Sequence, residues 1–133
     1  MDETRIITSM YTYSFEKLAV WVESKELTKT IYKITASFPD SERFGLTSQL
    51  RRASVSICSH IAEGSTRNTP KDKAHFLTIA YGSTIEVLNQ VIISFELQFI
   101  SEDTYLLLRS ELESISNKIN ALRNYQLNQQ SKS

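Results

Sequence analysis

Residues 105–122 read YLLLRSELESISNKINAL, and their spacing decides the fold. Tyr105, Leu108, Leu112, Ile115, Ile119 and Leu122 recur in steps of 3, 4, 3, 4 and 3. That is the seam of a helix packed along its length against other helices. Ser101 stands before it as a cap, with Glu102 and Asp103 at the positive end of its dipole. The same periodicity runs back through the chain. Leu27, Ile31, Ile34 and Phe38 step by 4, 3 and 4, and Phe15, Leu18 and Val22 precede them, with Ser14 placed as an N-cap. Pro39 ends that helix, because the residue before a proline avoids the α region. Leu46, Leu50, Ala53, Ile57 and Ile61 step by 4, 3, 4 and 4 up to Gly64, which is placed as a C-cap. Thr69-Pro70-Lys71-Asp72 then reads as N-cap, proline at N1 and an acid at N3.

The spacing thus predicts helices over about 15–38, 42–64, 70–99 and 102–126. Short connections make sequential helices antiparallel. The fold class is all-α: one up-down-up-down four-helix bundle over residues 14–126, with a flexible arm over 1–13 and a frayed tail over 127–133. The third helix is apolar around most of its circumference, and the second carries an extra apolar row at Val55, Cys58 and Ala62. One chain cannot cover all of that surface, so a homo-oligomer with an interface along these two helices is expected.

Composition agrees. The chain has 133 residues, 41% hydrophobic and 23% charged, the size and balance of one folded domain. Gly 3 and Pro 2 are too few for a turn-rich β fold or a Gly-rich nucleotide fold. The lone Cys58 excludes an internal disulfide and a Cys-based zinc site. No run of about 18 uninterrupted apolar residues points to a membrane span. No secretory signal is legible over Met1–Tyr13, so a cytoplasmic protein is expected.

Catalytic patterns are missing. There is no P-loop, no Gly-x-Gly-x-x-Gly and no Gly-x-Ser-x-Gly elbow, so no cofactor is expected. His60 and Glu63 form one His-x-x-Glu pair without the further ligands that a metal site in a helical bundle needs. Cys58 lies on an apolar row beside Ile57 and Ile61, the setting of a packing cysteine. Arg52 to His60 and Arg67 to His75 each enclose seven residues, which does not fit the shorter Arg-to-His spacing of small helical ribonucleases. A non-enzymatic protein is expected, without catalytic or metal-binding residues.

Charge is the informative feature. The chain is neutral, with 15 basic and 15 acidic residues. Between Ser41 and His75, however, Arg43, Arg51, Arg52, Arg67, Lys71 and Lys73 stand against Glu42, Glu63 and Asp72, six minus three, a local +3. Two readings follow. Arg51, Arg52, Arg67, Lys71 and Lys73, multiplied by oligomer symmetry, form a patch for nucleic-acid phosphates. Alternatively the arginines are structural, pairing with groups such as Glu63, and the partner is a protein. His60 and Trp21 are further candidates for an interface.

The segment from Phe15 to about Tyr125 also resembles a bacterial family first noticed as reading frames in intervening sequences of 23S ribosomal RNA genes. The resemblance rests on Phe15-Glu16-Lys17-Leu18, Val20-Trp21, Ile31-Tyr32, Phe38-Pro39, Glu42-Arg43-Phe44-Gly45-Leu46 and Gln49-Leu50-Arg51-Arg52-Ala53. It continues through Val55-Ser56-Ile57, Ile61-Ala62-Glu63-Gly64, Phe76-Leu77, Ile79-Ala80, Gly82-Ser83 and Glu86. It implies an antiparallel four-helix bundle assembled as a homopentamer, without enzymatic activity. It also implies kinship with the accessory protein of diversity-generating retroelements, which partners a reverse transcriptase and binds nucleic acid through a basic surface. Cys58 stands where the family usually has proline and His60 where it usually has asparagine. Without the proline the second helix should be straighter, or kinked by packing alone.

Overall fold

A computed structural model describes residues 3–132. Met1, Asp2 and Ser133, the outermost parts of the expected arm and tail, lie outside the described residues. Those described form five α-helices and two short 3-10 turns, with no strand. The helices are α1 (Glu3–Thr8), α2 (Ala19–Thr35), α3 (Leu46–Gly64), α4 (Pro70–Glu96) and α5 (Glu102–Lys132).

The four long helices meet in the order α2–α3–α4–α5 and back to α2. Each pairing runs in opposite senses. Thr28 meets Ser54 while Thr35 meets Arg51, so numbers rise on α2 as they fall on α3. Arg52 meets Glu86 while Ser56 meets Ser83. Phe95 stacks on Tyr105, with centroids 4.2 Å apart, while Tyr81 lies under Arg123. Between α2 and α5 the links are Glu23 with Ser114 and Lys118. Leu27, Ile31, Leu50, Ala53, Ile57, Ala80, Val87, Leu108, Ile115 and Ile119 are fully buried at the centre. These are largely the positions that the sequence steps select.

Helix ends differ from expectation in five places, each for a local reason. α2 stops at Thr35 and not at Phe38, because the Ser37 and Phe38 amides turn back to Ile34 O and Thr35 O, three residues behind them, before Pro39 is reached. Ser14 does not cap a continuous helix. Ser14–Lys17 is a separate 3-10 turn that begins at Tyr13, whose amide donates to the Glu16 carboxylate at 2.8 Å, and Leu18 is extended before α2 starts. The second turn, Asp40–Glu42, lies where α3 was expected to begin. Glu42 there accepts from the Leu46 amide at 3.2 Å and so supports the later start. Gly64 is not a left-handed C-cap, since no glycine has positive φ. It is the last buried residue of α3, and a Cβ on it would lie 2.9 Å from Phe76 Cβ, so its smallness lets α3 and α4 approach. Finally α4 stops at Glu96 rather than Phe99. Gln98 takes a left-handed conformation (φ 65°), and the Phe99 amide donates to Ser94 O at 2.8 Å, a Schellman stop without glycine.

Two other expectations shift. α1 occupies part of the arm, and α5 continues to Lys132, past 126. The polar run after Tyr125 has no proline or glycine to stop a helix already formed. The caps Thr69 and Ser101 are as expected, accepting from the amides of Asp72 and Thr104. Apolar residues do surround α4, but Ile85 and Ile93 stay exposed, as does Val55 on α3. By length and composition α4 is apolar enough to cross a membrane, yet it packs on both α3 and α5 like a core helix.

Candidate nucleic-acid interface

The five cations singled out by sequence fall into two groups. Arg51 and Arg52 are near the start of α3, whereas Arg67, Lys71 and Lys73 lie beyond its end. From Arg51 to Gly64 is thirteen steps along the helix, about 20 Å. One chain therefore does not gather all five into a single patch.

Arg51 is half-buried and committed to α2. Its Nε donates to Thr35 Oγ1 at 2.9 Å, its Nη2 donates to Tyr32 O at 3.2 Å, and its guanidinium lies 4.6 Å from the Tyr32 ring centre. It thus shares the Tyr32 carbonyl with the Thr35 hydroxyl, which donates to it at 3.3 Å, at the negative end of the helix dipole. Arg52 is exposed and forms an ion pair with Glu86 across the α3–α4 seam. Both fit the structural role better than phosphate binding.

Arg67, Lys71 and Lys73 share one end of the molecule. The Arg67 guanidinium sits 4.4 Å from the Phe76 ring centre, and its Nη2 is 3.8 Å from Glu63 Oε2. Both partners of that pair are well exposed, so the pair is weak and open to exchange for a phosphate. Lys71 and Lys73 have no carboxylate partner among the described residues. A cavity of about 210 Å³ shows what converges there: Ser14 from the first 3-10 turn, Gly64 from α3, Lys73 from α4, and Leu122 and Gln126 from α5. Lys17 precedes Leu18 and Arg123 follows Leu122, two residues that line this cavity, so both cations belong to the same end of the molecule; the sequence reading missed them. Lys17 stands three residues after Ser14, and Arg123 follows Leu122 at the end of the last apolar stripe, both far in sequence from the basic excess over 41–75. Only antiparallel folding sets them beside residues 50 or more positions away.

Charge is therefore separated along the long axis. Lys17, Arg67, Lys71, Lys73 and Arg123 against Glu16, Glu63 and Asp72 leave +2 at this end, five minus three. At the other end Asp40, Glu42, Glu96, Glu102 and Asp103 against Lys33, Arg43 and Arg51, whose guanidinium lies on the last turn of α2, leave −2, three minus five. The ring contact of Phe38 with Phe99, 5.4 Å between centroids, holds the two loops of that acidic end together. Arg43, part of the basic excess in the sequence, belongs to the acidic end.

The remaining candidates are placed as follows. His60 is half-buried, and its Nδ1 donates to Ser56 O at 2.8 Å in the tautomer that this bond requires, beside the Phe76 ring. Trp21 is half-buried, edge-on to Phe15 at 5.0 Å and under the Lys25 ammonium at 5.3 Å, where it fastens the first 3-10 turn to α2. Burial pushes the Cys58 thiol up, and this outweighs the hydrogen bond with Thr28, so thiolate is disfavoured. No group of three or more His, Cys, Asp or Glu is placed to hold a metal among the described residues.

A family model described as 23S rRNA-intervening sequence protein matches residues 16–121. Among curated proteins none matches the chain. Among solved structures, a Bacteroides thetaiotaomicron VPI-5482 protein of unknown function from the S23 ribosomal protein family is similar, with a TM-score of 0.71. Its identity is 19%, and the match covers 79% of this chain and 95% of that one. The likeness concerns the helical fold.

Proposed function

The chain belongs to the 23S rRNA-intervening sequence protein family, and from that premise we propose that it is a non-enzymatic, cytoplasmic accessory protein that binds nucleic acid through its basic end. The architecture that goes with this reading is a single antiparallel up-down-up-down four-helix bundle over residues 14–126. Copies of it assemble as a homo-oligomer, a pentamer by resemblance to the family. The exposed Ile85, Ile93 and Val55 supply apolar surface for the assembly. The observation that carries the reading is the axial charge separation, with Lys17, Arg67, Lys71, Lys73 and Arg123 at one end. Arrayed by symmetry, these ends present a cationic surface to a polyanion while the acidic ends face away.

A second reading has support of its own. Arg51 and Arg52 are engaged inside the chain, as in a protein-interaction scaffold with structural arginines. Salt separates the two. Fluorescence anisotropy with structured RNA, single-stranded DNA and duplex DNA should show affinity falling by about 0.9 log unit per contacted phosphate per decade of salt on duplex DNA. Absence of binding at low salt by an intact oligomer would leave the scaffold.

A further inference from the structure

The N-terminal segment carries apolar side chains that its own chain does not cover. Ile6, Ile7, Met10, Tyr11 and Tyr13 are 46–79% exposed, five large side chains within eight residues. Single exposed apolar residues are ordinary, but a contiguous set marks a contact surface. The root of the segment is fixed. Glu16 accepts from the Tyr13 amide, Tyr11 meets Tyr13 edge-on at 5.0 Å, Tyr13 stacks on Phe15 at 6.4 Å, and Phe15 meets Trp21. Trp21 lies two helical turns before Thr28, which reaches Ser54 on α3, so this ladder runs on the α2–α3 edge.

The opposite edge, between α4 and α5, holds a groove of about 520 Å³ lined by Tyr81, Ile85, Leu88, Leu106 and Leu112 and by as many polar residues, among them Ser110 and the charged Arg109 and Glu113. Ile85 and Leu106 are exposed on it. To reach this groove, an arm would have to leave its aromatic ladder and cross its own molecule. Another copy's arm needs neither. At roughly 150 Å² for each of five large side chains, of which about three-fifths is still exposed, one arm offers on the order of 500 Å², more than half of the ~800 Å² per partner of a stable interface.

We propose that residues 6–13 of one copy lie in the α4–α5 groove of the next. The contact joins two different surfaces, so it is head-to-tail and generates a ring when its rotation closes. The inference rests on the oligomer of the proposed function and gives it a specific joint.

The test uses the full chain with Cys58→Ser. One copy carries Met10→Cys and the other, affinity-tagged, carries Ser110→Cys; the two are co-expressed and oxidised. A disulfide between tagged and untagged chains is expected, and it should be lost when Ile7→Asp and Tyr11→Asp are added to the first. Light scattering on the same samples separates the failures. An oligomer without the mixed disulfide overturns the arm contact and keeps the assembly, whereas a monomer overturns both. A chain carrying both cysteines that closes only on itself also overturns it.

Discussion

Arg51 belongs to the end of α2 as much as to α3. Its two hydrogen bonds and its stacking on Tyr32 act on the last turn of the preceding helix. Arg51→Ala should lower stability by about 1–2 kcal/mol in chemical denaturation, the usual size of a charge-assisted hydrogen bond lost from a half-buried site. Nucleic-acid affinity should stay unchanged. Glu111 offers a different test at this scale. It is half-buried on α5, and its Oε2 has no hydrogen-bond partner. Burial pushes its carboxyl up, and the charges of Glu23 and Glu26 on α2 add to this. A carboxyl raised by folding favours the native state when protonated and loses that contribution as pH rises through its folded value. Glu111→Gln should therefore be more stable than the parent at pH 7, and the advantage should shrink as pH falls through the carboxylate range. Glu23 behaves oppositely. Its burial alone would raise it, but Lys118 and Ser114 outweigh that and lower it, so its contribution is present at neutral pH and lost in acid. Comparing the parent with Glu111→Gln removes the part of the Glu23 effect that Lys118 and Ser114 set, and the repulsion between Glu23 and Glu111 adds to the gain of the variant at neutral pH.

Helix to helix, two glycines separate packing from propensity. Gly64 is where α3 and α4 come close, and a methyl there meets Phe76 Cβ at 2.9 Å. Gly64→Ala should destabilise by about 1–3 kcal/mol, as overpacking does. Gly82, in the middle of α4, has nothing within 4 Å of an added Cβ. Gly82→Ala should stabilise the chain by about 0.5–1 kcal/mol through helix propensity, read as a higher denaturation midpoint. The sequence shows both as small residues in or after a helical pattern and cannot tell them apart, because the difference lies in which neighbouring helix approaches. The stripes themselves were legible. Leu50, Ala53, Ile57 and Ile61 on α3, and Leu108, Leu112, Ile115 and Ile119 on α5, are buried where their steps of three and four put them. Helix stops were less legible. Gln98 ends α4 in a left-handed turn that usually marks itself by glycine, and nothing at Ser14 announces that Tyr13 and Glu16 form the cap instead.

Over the whole molecule, antiparallel folding turns a neutral chain into one with a basic and an acidic end. The local excess over residues 41–75 was visible in the sequence, but its use was not. The fold sends Arg43 to the acidic end, keeps Arg51 and Arg52 for internal contacts, and adds Lys17 and Arg123 from distant positions to Arg67, Lys71 and Lys73. A candidate site made of helix ends is legible only once the order of helices in space is known. The proposed phosphate contacts therefore lie at the basic end, not at the α3 arginines. The most direct test is anisotropy of a labelled structured RNA at low salt with two variants, Lys71→Glu plus Lys73→Glu and Arg52→Glu alone, each checked by light scattering for the parent's mass. The account predicts that the lysine pair abolishes salt-sensitive binding while Arg52→Glu leaves it within about twofold, since exposed ion pairs contribute little. Equal binding by the lysine variant and the parent, or loss confined to Arg52→Glu, would contradict it.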